Sequence, residues 1–167
     1  MKKRLLSIAL ATCMLLTLLP TTALAGIVPV PMTIEINGTY HPESNTISDG
    51  TEATGLSLTT LEEAIGNSGV AASGIQILKI TAGTVTEADW MYIKSLTALE
   101  HFEIADGVTV ADMPDGTTSN ITFPATILSV NIPQAISIGA YAYAFPSAMG
   151  GSAKLTTVSL PKVTSIG

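Results

Sequence analysis

The sequence predicts an α/β, β-rich solenoid in which short parallel strands stack behind an N-terminal capping helix. Three observations predict it. An apolar frame recurs: Ile75, Leu78 and Ile80 are followed by Leu99, Phe102 and Ile104, by Ile127, Val130 and Ile132, and by Leu155, Val158 and Leu160. Successive copies lie 24, 28 and 28 residues apart. An L-x-x-L-x-L frame at such a period marks a leucine-rich repeat array, each copy donating one strand. Within each copy the inward residues alternate with outward ones, as a strand requires. Just upstream of the first copy stands a helix-start signal, where an array needs a cap.

The chain divides into a signal peptide over 1–25, an extended or loop-rich N-terminal segment over 26–56, and a repeat domain over 57–167. Met1–Arg4 is basic, Leu5–Leu19 is apolar but short for a bilayer span, and Ala23-Leu24-Ala25 is an A-x-A cleavage site before Gly26. Two alternatives are an uncleaved anchor and a lipidated Cys13. The short apolar run opposes the first; Thr12 and the apolar residues beyond Cys13 oppose the second. Cleavage near Ala25 leaves 4 cations against 13 carboxylates, a net charge of −9, and removes the only cysteine. The mature chain therefore lacks the Lys/Arg excess that nucleic acid and anionic membrane surfaces reward. Without disulfides it is held by an apolar core.

Gly26–Met32 carries alternating prolines and reads as an extended leader. Thr33–Ile36 reads as a short strand ending at the turn dipeptide Asn37-Gly38. Residues 39–56, with Asn45 and Asp49-Gly50, read as loop. The sequons at Asn37 and Asn120 carry little weight. Thr59-Thr60-Leu61-Glu62 is a capping box. The helix it opens places Leu58, Leu61, Ala64 and Ile65 on one face and stops at Gly66. It is expected to cover the open N-terminal end of the array.

Thr86-Glu87-Ala88-Asp89 is a second N-cap signal. Two stripes compete in the helix that follows, Trp90/Ile93/Leu96 and Ala88/Met91/Tyr92/Leu96. Trp90 reads as a packed core residue, with a sugar-stacking platform as the alternative. Asp106-Gly107 gives a turn, and Val108 and Val110 form the next inward pair. Residues 111–124 are the longest polar interruption, in which Asp112 and Asp115 are too sparse for a calcium loop. Gly150-Gly151-Ser152 reads as a second inserted loop. The array reaches Gly167 with no evident C-terminal cap, so self-association through that end is expected.

The sequence shows no H-E-x-x-H, G-x-S-x-G or phosphate-binding loop, and it offers two histidines. No catalytic residues, metal ligands or cofactors are assigned. The period of two instead defines an outward row: Lys79 beside Ile77, His101 and Glu103, Ser129 and Asn131, Thr157 and Ser159. In a stacked array such a row is the usual ligand surface, and the plain alternative is a solvated face.

The run Ile127–Phe145 followed by Lys154–Gly167 resembles the BspA-type (Treponema pallidum-type) leucine-rich repeats of bacterial surface proteins. Leu155, Val158, Leu160, Pro161, Val163, Ile166 and Gly167 carry the resemblance, as do Ile127, Val130, Ile132, Pro133, Ile138, Gly139 and Ala142 in the preceding copy. Ala135, Tyr143 and Pro146 depart from the pattern. The match covers residues 127–167 well and 75–126 loosely. The resemblance implies a non-enzymatic, secreted or cell-surface, adhesin-like module that binds a protein or glycan through its strand face. The alternative is an N-terminal structural scaffold belonging to a longer secreted protein.

Overall fold

The structure, a computed structural model, describes residues 30–56, 60–110, 123–134, 137–138, 154–162 and 164–166. The expected signal peptide, the polar interruption at 111–122, the loop near Gly150 and the terminal Gly167 lie outside the described residues. Among the described residues the architecture is α/β, with two helices and a mixed sheet of short strands. Its order along the chain is β1 (Thr33–Ile36), β2 (Thr39–His41), β3 (Thr46–Ser48), β4 (Thr51–Thr54), α1 (Leu61–Ser68), a helical turn Ala72–Gly74, β5 (Ile77–Ala82), β6 (Thr84–Val85) and α2 (Glu87–Ser95). There follow β7 (His101–Ile104), β8 (Thr109–Val110), β9 (Ser129–Asn131), β10 (Ser137–Ile138), β11 (Thr157–Ser159) and β12 (Ser165–Ile166).

The main sheet runs β11-β9-β7-β5-β1-β4. From β5 to β11 the strands are parallel, and the register joins equivalent positions of the apolar frame. Leu78 pairs with Phe102, Phe102 with Val130, and Val130 with Val158. Smaller parallel ladders join β6 to β8 and β10 to β12. Ile75, Leu78, Ile80, Leu99, Phe102, Ile104, Ile127, Val130 and Ile132 are all buried in one cluster. The last copy differs: Leu155 and Leu160 are partly buried and Val158 is 42% exposed. Among the described residues β11 ends the sheet and pairs with β9 alone, and the expected burial of Val158 is not reached.

Of the competing stripes in α2, the structure selects Trp90, Ile93 and Leu96, leaving Met91 exposed. Trp90 meets Phe102 and Phe123 edge-on, with ring centroids 6.0 and 6.1 Å apart. Such contacts add to the area the rings bury. The second cap signal forms as read: the Asp89 carboxylate accepts from the Thr86 backbone N–H at 2.8 Å and the Thr86 hydroxyl at 2.7 Å. Its other oxygen accepts from Leu61 N–H at 2.8 Å. One buried carboxylate thus serves the first turns of both helices, where anions are favoured.

α1 corrects the sequence reading by one residue. Thr60, in extended conformation, is the N-cap, and its hydroxyl accepts from Glu63 N–H at 3.2 Å. The helix runs through Gly66 and ends at Gly69, which holds the left-handed conformation at φ 72° that a helix C-terminus favours. Burial of Leu61, Ala64 and Ile65 offsets the cost of about 1 kcal/mol that Gly66 brings to a helix interior. Two strands, β1 and β4, extend the sheet beyond β5, and α1 packs chiefly on these.

The larger correction concerns residues 39–56, which form strands rather than loop. β1 continues into β2 and β3 into β4, as one antiparallel ribbon kinked midway. Asn37, Asn45 and Asp49 take positive φ of 51°, 54° and 58°, at the two feet and the tip of the outer half. Asn and Asp tolerate this region because their short polar side chains bond locally. At Gly50, a Cβ would stand 2.8 Å from the Cβ of Glu35, so the crossing chains require glycine. The kink sends β2–β3 over the sheet. Among the described residues no helix is long and apolar enough to cross a membrane.

Candidate functional site

The outward positions of the sheet form two rows. One places Glu35, Lys79, Glu103, Asn131 and Ser159 in register across β1, β5, β7, β9 and β11. The other joins Ile77, His101, Ser129 and Thr157. All seven residues predicted from the period of two therefore share one face. Their expected exposure is corrected: Glu103, Ser129 and Asn131 are buried, Lys79 and His101 are half-buried, and Thr157 and Ser159 are partly open.

The cover is the β2–β3 end of the ribbon. The Tyr40 ring stacks on His101 with centroids 3.9 Å apart and planes 17° from parallel. Lys79 Nζ donates to the Ile47 carbonyl at 2.7 Å, while the Ile47 N–H donates to Glu103 Oε2. The Asn45 carboxamide donates to the Val130 carbonyl at 3.1 Å. Beneath the cover, Lys79 and Glu103 pair at 4.0 Å and His101 Nδ1 lies 2.8 Å from Ser129 Oγ. The hairpin also ties itself together, through Tyr40 to Asn45 at 3.1 Å and His41 to Ser48 at 2.9 Å.

Burial sets the electrostatics of this face. It pushes the Glu103 carboxyl above the ordinary carboxylate range; the Ile47 N–H and Lys79 oppose the rise, and Glu35 adds to it. Burial likewise lowers His101, against the pull of Glu100. Both directions follow from the burial of Glu103 and the partial burial of His101. Among the described residues, no group of three or more His, Cys, Asp or Glu is placed to hold a metal ion. A separate cleft of about 310 Å³ opens beside the helix starts, lined by Thr60, Glu62, Asp89, Met91 and Tyr92. Its buried carboxylate, Asp89, is already committed to the two caps.

Sequence reasoning missed Tyr40, Asn45 and Ile47, which lie in the segment read as loop. The available signal was the pair Asn37-Gly38 and Asp49-Gly50 bracketing the short β-prone runs Thr39–His41 and Thr46–Ser48. Comparison with protein-family profiles, curated proteins and solved structures finds no match.

Proposed function

We propose that this chain is a non-enzymatic, secreted or cell-surface interaction module: a leucine-rich solenoid resembling BspA-type repeats, which binds a protein or glycan through its outer strand face. The supporting observation is the parallel ladder of β5, β7, β9 and β11. It repeats Leu78, Phe102, Val130 and Val158 in register and lines up ionic, amide and hydroxyl groups opposite them. A face of that kind offers many graded contacts and no reaction centre. Thr157 and Ser159, partly open on β11, are its accessible end. The test screens the chain on a glycan array and against cell-surface proteins, then repeats the best hit with Thr157→Trp and Ser159→Trp. Loss of about tenfold in affinity, near 1.4 kcal/mol, is expected with the fold intact. Unchanged binding by both variants contradicts the reading.

A structural scaffold is the second reading, and Val158 favours it. It stands 42% exposed on the edge strand, while its register partner Val130 is fully buried. An apolar edge of this kind pairs readily with a further strand, so self-association through the β11 edge belongs to this reading. Light scattering over a concentration series tests it, with Val158→Lys expected to return any assembly to monomer.

A further inference from the structure

The β2–β3 hairpin grips the outer face by means unlike those of the core. Ile47 is 2% exposed, yet it stands outside the apolar cluster that unites the sheet with α1 and α2. Its burial goes with the hairpin's bonds to the face, from Lys79 to its carbonyl and from its N–H to Glu103. The other contacts are the Tyr40–His101 stack and the Asn45 bond to Val130. Lys79 takes the carbonyl and Glu103 the N–H of one residue, so the pair reads both polar groups of an extended backbone. Contacts of this sort read the main chain of a segment laid over the face, whatever its side chain, through a cationic donor and an acidic acceptor.

Closure also has an opposing cost. It leaves the Glu103 and Lys79 side chains 9% and 19% exposed and 4.0 Å apart, so two charges lose most of their water. The hairpin's own bonds hold it as a unit, and its feet are the kinks at Asn37-Gly38 and Asp49-Gly50. Beyond those feet, β1 and β4 are anchored by Ile34, Ile36 and Ala53 in the core. The outer half therefore has a place to part from the face while the sheet stays intact.

Building on the reading of this face as the binding surface, we propose that β2–β3 is a displaceable strap. We infer that the ligand it yields to is an extended polypeptide segment of a partner protein, held by Lys79, Glu103 and His101 as they now hold Ile47 and Tyr40. The strap is the chain's own stand-in for that ligand, and it lowers apparent affinity by the fraction of time it is closed.

The probe is a fluorescein-labelled synthetic peptide of residues 39–48, titrated by anisotropy into the full chain. Binding is expected to be roughly tenfold or more tighter to a Tyr40→Ala/Ile47→Ala chain than to the wild type, where the tethered strap competes. Adding Lys79→Ala to the loosened chain is expected to abolish it. Equal affinity for wild-type and loosened chains, indifference to Lys79→Ala, or no binding to the folded loosened chain overturns the proposal. Hydrogen exchange of the wild type supplies a second reading should the loosened chain fail to fold. The Ile47 amide is expected to exchange by local opening, about tenfold or more faster than Leu78 and Phe102. Exchange of Ile47 only through global unfolding makes the hairpin a fixed part of the fold and overturns the strap. A glycan or protein that binds the wild type without changing Ile47 exchange also overturns it, yet leaves the interaction-module reading standing.

Discussion

The inner and outer faces of the parallel strands belong to the same short stretches of chain, but different forces close them. On the inner face Leu78, Phe102 and Val130 are at most 1% exposed, and they pack among apolar neighbours from both helices. The outer face is closed by a ribbon whose Ile47 bonds to Glu103, 56 residues further along. Apolar burial is non-directional, and it recurs in the first three copies of the frame. The outer contacts are directional and individual: one ring stack, one carboxamide, and one ion pair reading the N–H and C=O of one residue. The comparison separates a core that tolerates a repeated pattern from a cover that depends on single residues.

Substitutions sharpen that contrast, the largest effect falling on the inner face. Phe102→Ala removes the ring that meets Trp90 and Phe123, and is expected to cost about 3–5 kcal/mol in urea unfolding. Asp89→Ala strips the carboxylate from both helix starts and leaves Leu61 N–H and Thr86 N–H unpartnered. The expected cost is about 1.5–3 kcal/mol, read the same way. On the outer face, Glu103→Ala is expected to cost about 1–3 kcal/mol, because it orphans the Ile47 N–H and leaves Lys79 half-buried without its counter-charge. A solvated strand residue would cost almost nothing, so this variant reports the cover directly.

Acid titration separates Glu103 from His101, two of the ionisable groups under the ribbon. The folded state raises the Glu103 pKa, chiefly by burial, so folding favours its protonated form. That contribution is present below the ordinary carboxylate range and is lost as pH rises through the folded value. Glu103→Gln, a neutral acceptor, should therefore raise Tm most near neutral pH, the gap narrowing in acid. His101 is lowered by burial, so its contribution is present above about pH 6.5 and is lost as pH falls through the folded value. His101→Gln should flatten that part of the Tm-against-pH curve. The smallest effects belong to Thr157→Ala and Ser159→Ala, within about 0.5 kcal/mol, since the ribbon's bonds and ring stack fall on Lys79, His101, Glu103 and Val130.

What the sequence disclosed follows the same division. The register Leu78, Phe102, Val130, Val158 was legible because equivalent apolar positions recur and the period of two assigns each side. The Thr86–Asp89 cap and the burial of Trp90 were legible because both are local in sequence. That Lys79, His101, Glu103, Ser129, Asn131, Thr157 and Ser159 share a face was legible for the same reason. Their covering was not, since it depends on where a kinked ribbon lands. Strands of three residues, as in β2 and β3, carry too little alternation to announce themselves between turn residues. The shift of the first cap from Thr59 to Thr60 is a choice between adjacent threonines with the same capping chemistry, which the sequence alone does not separate.

The cover over the outer face is tested most directly by a double-mutant cycle on Tyr40 and His101, the ring pair that joins ribbon to strand. Urea unfolding of the wild type, Tyr40→Ala, His101→Ala and the double variant isolates their coupling. Stacked rings held as described give a coupling of about 0.5–1.5 kcal/mol. Strict additivity of the two substitutions would mean that the ribbon does not lie on the strand face, and would return His101 and its row to solvent.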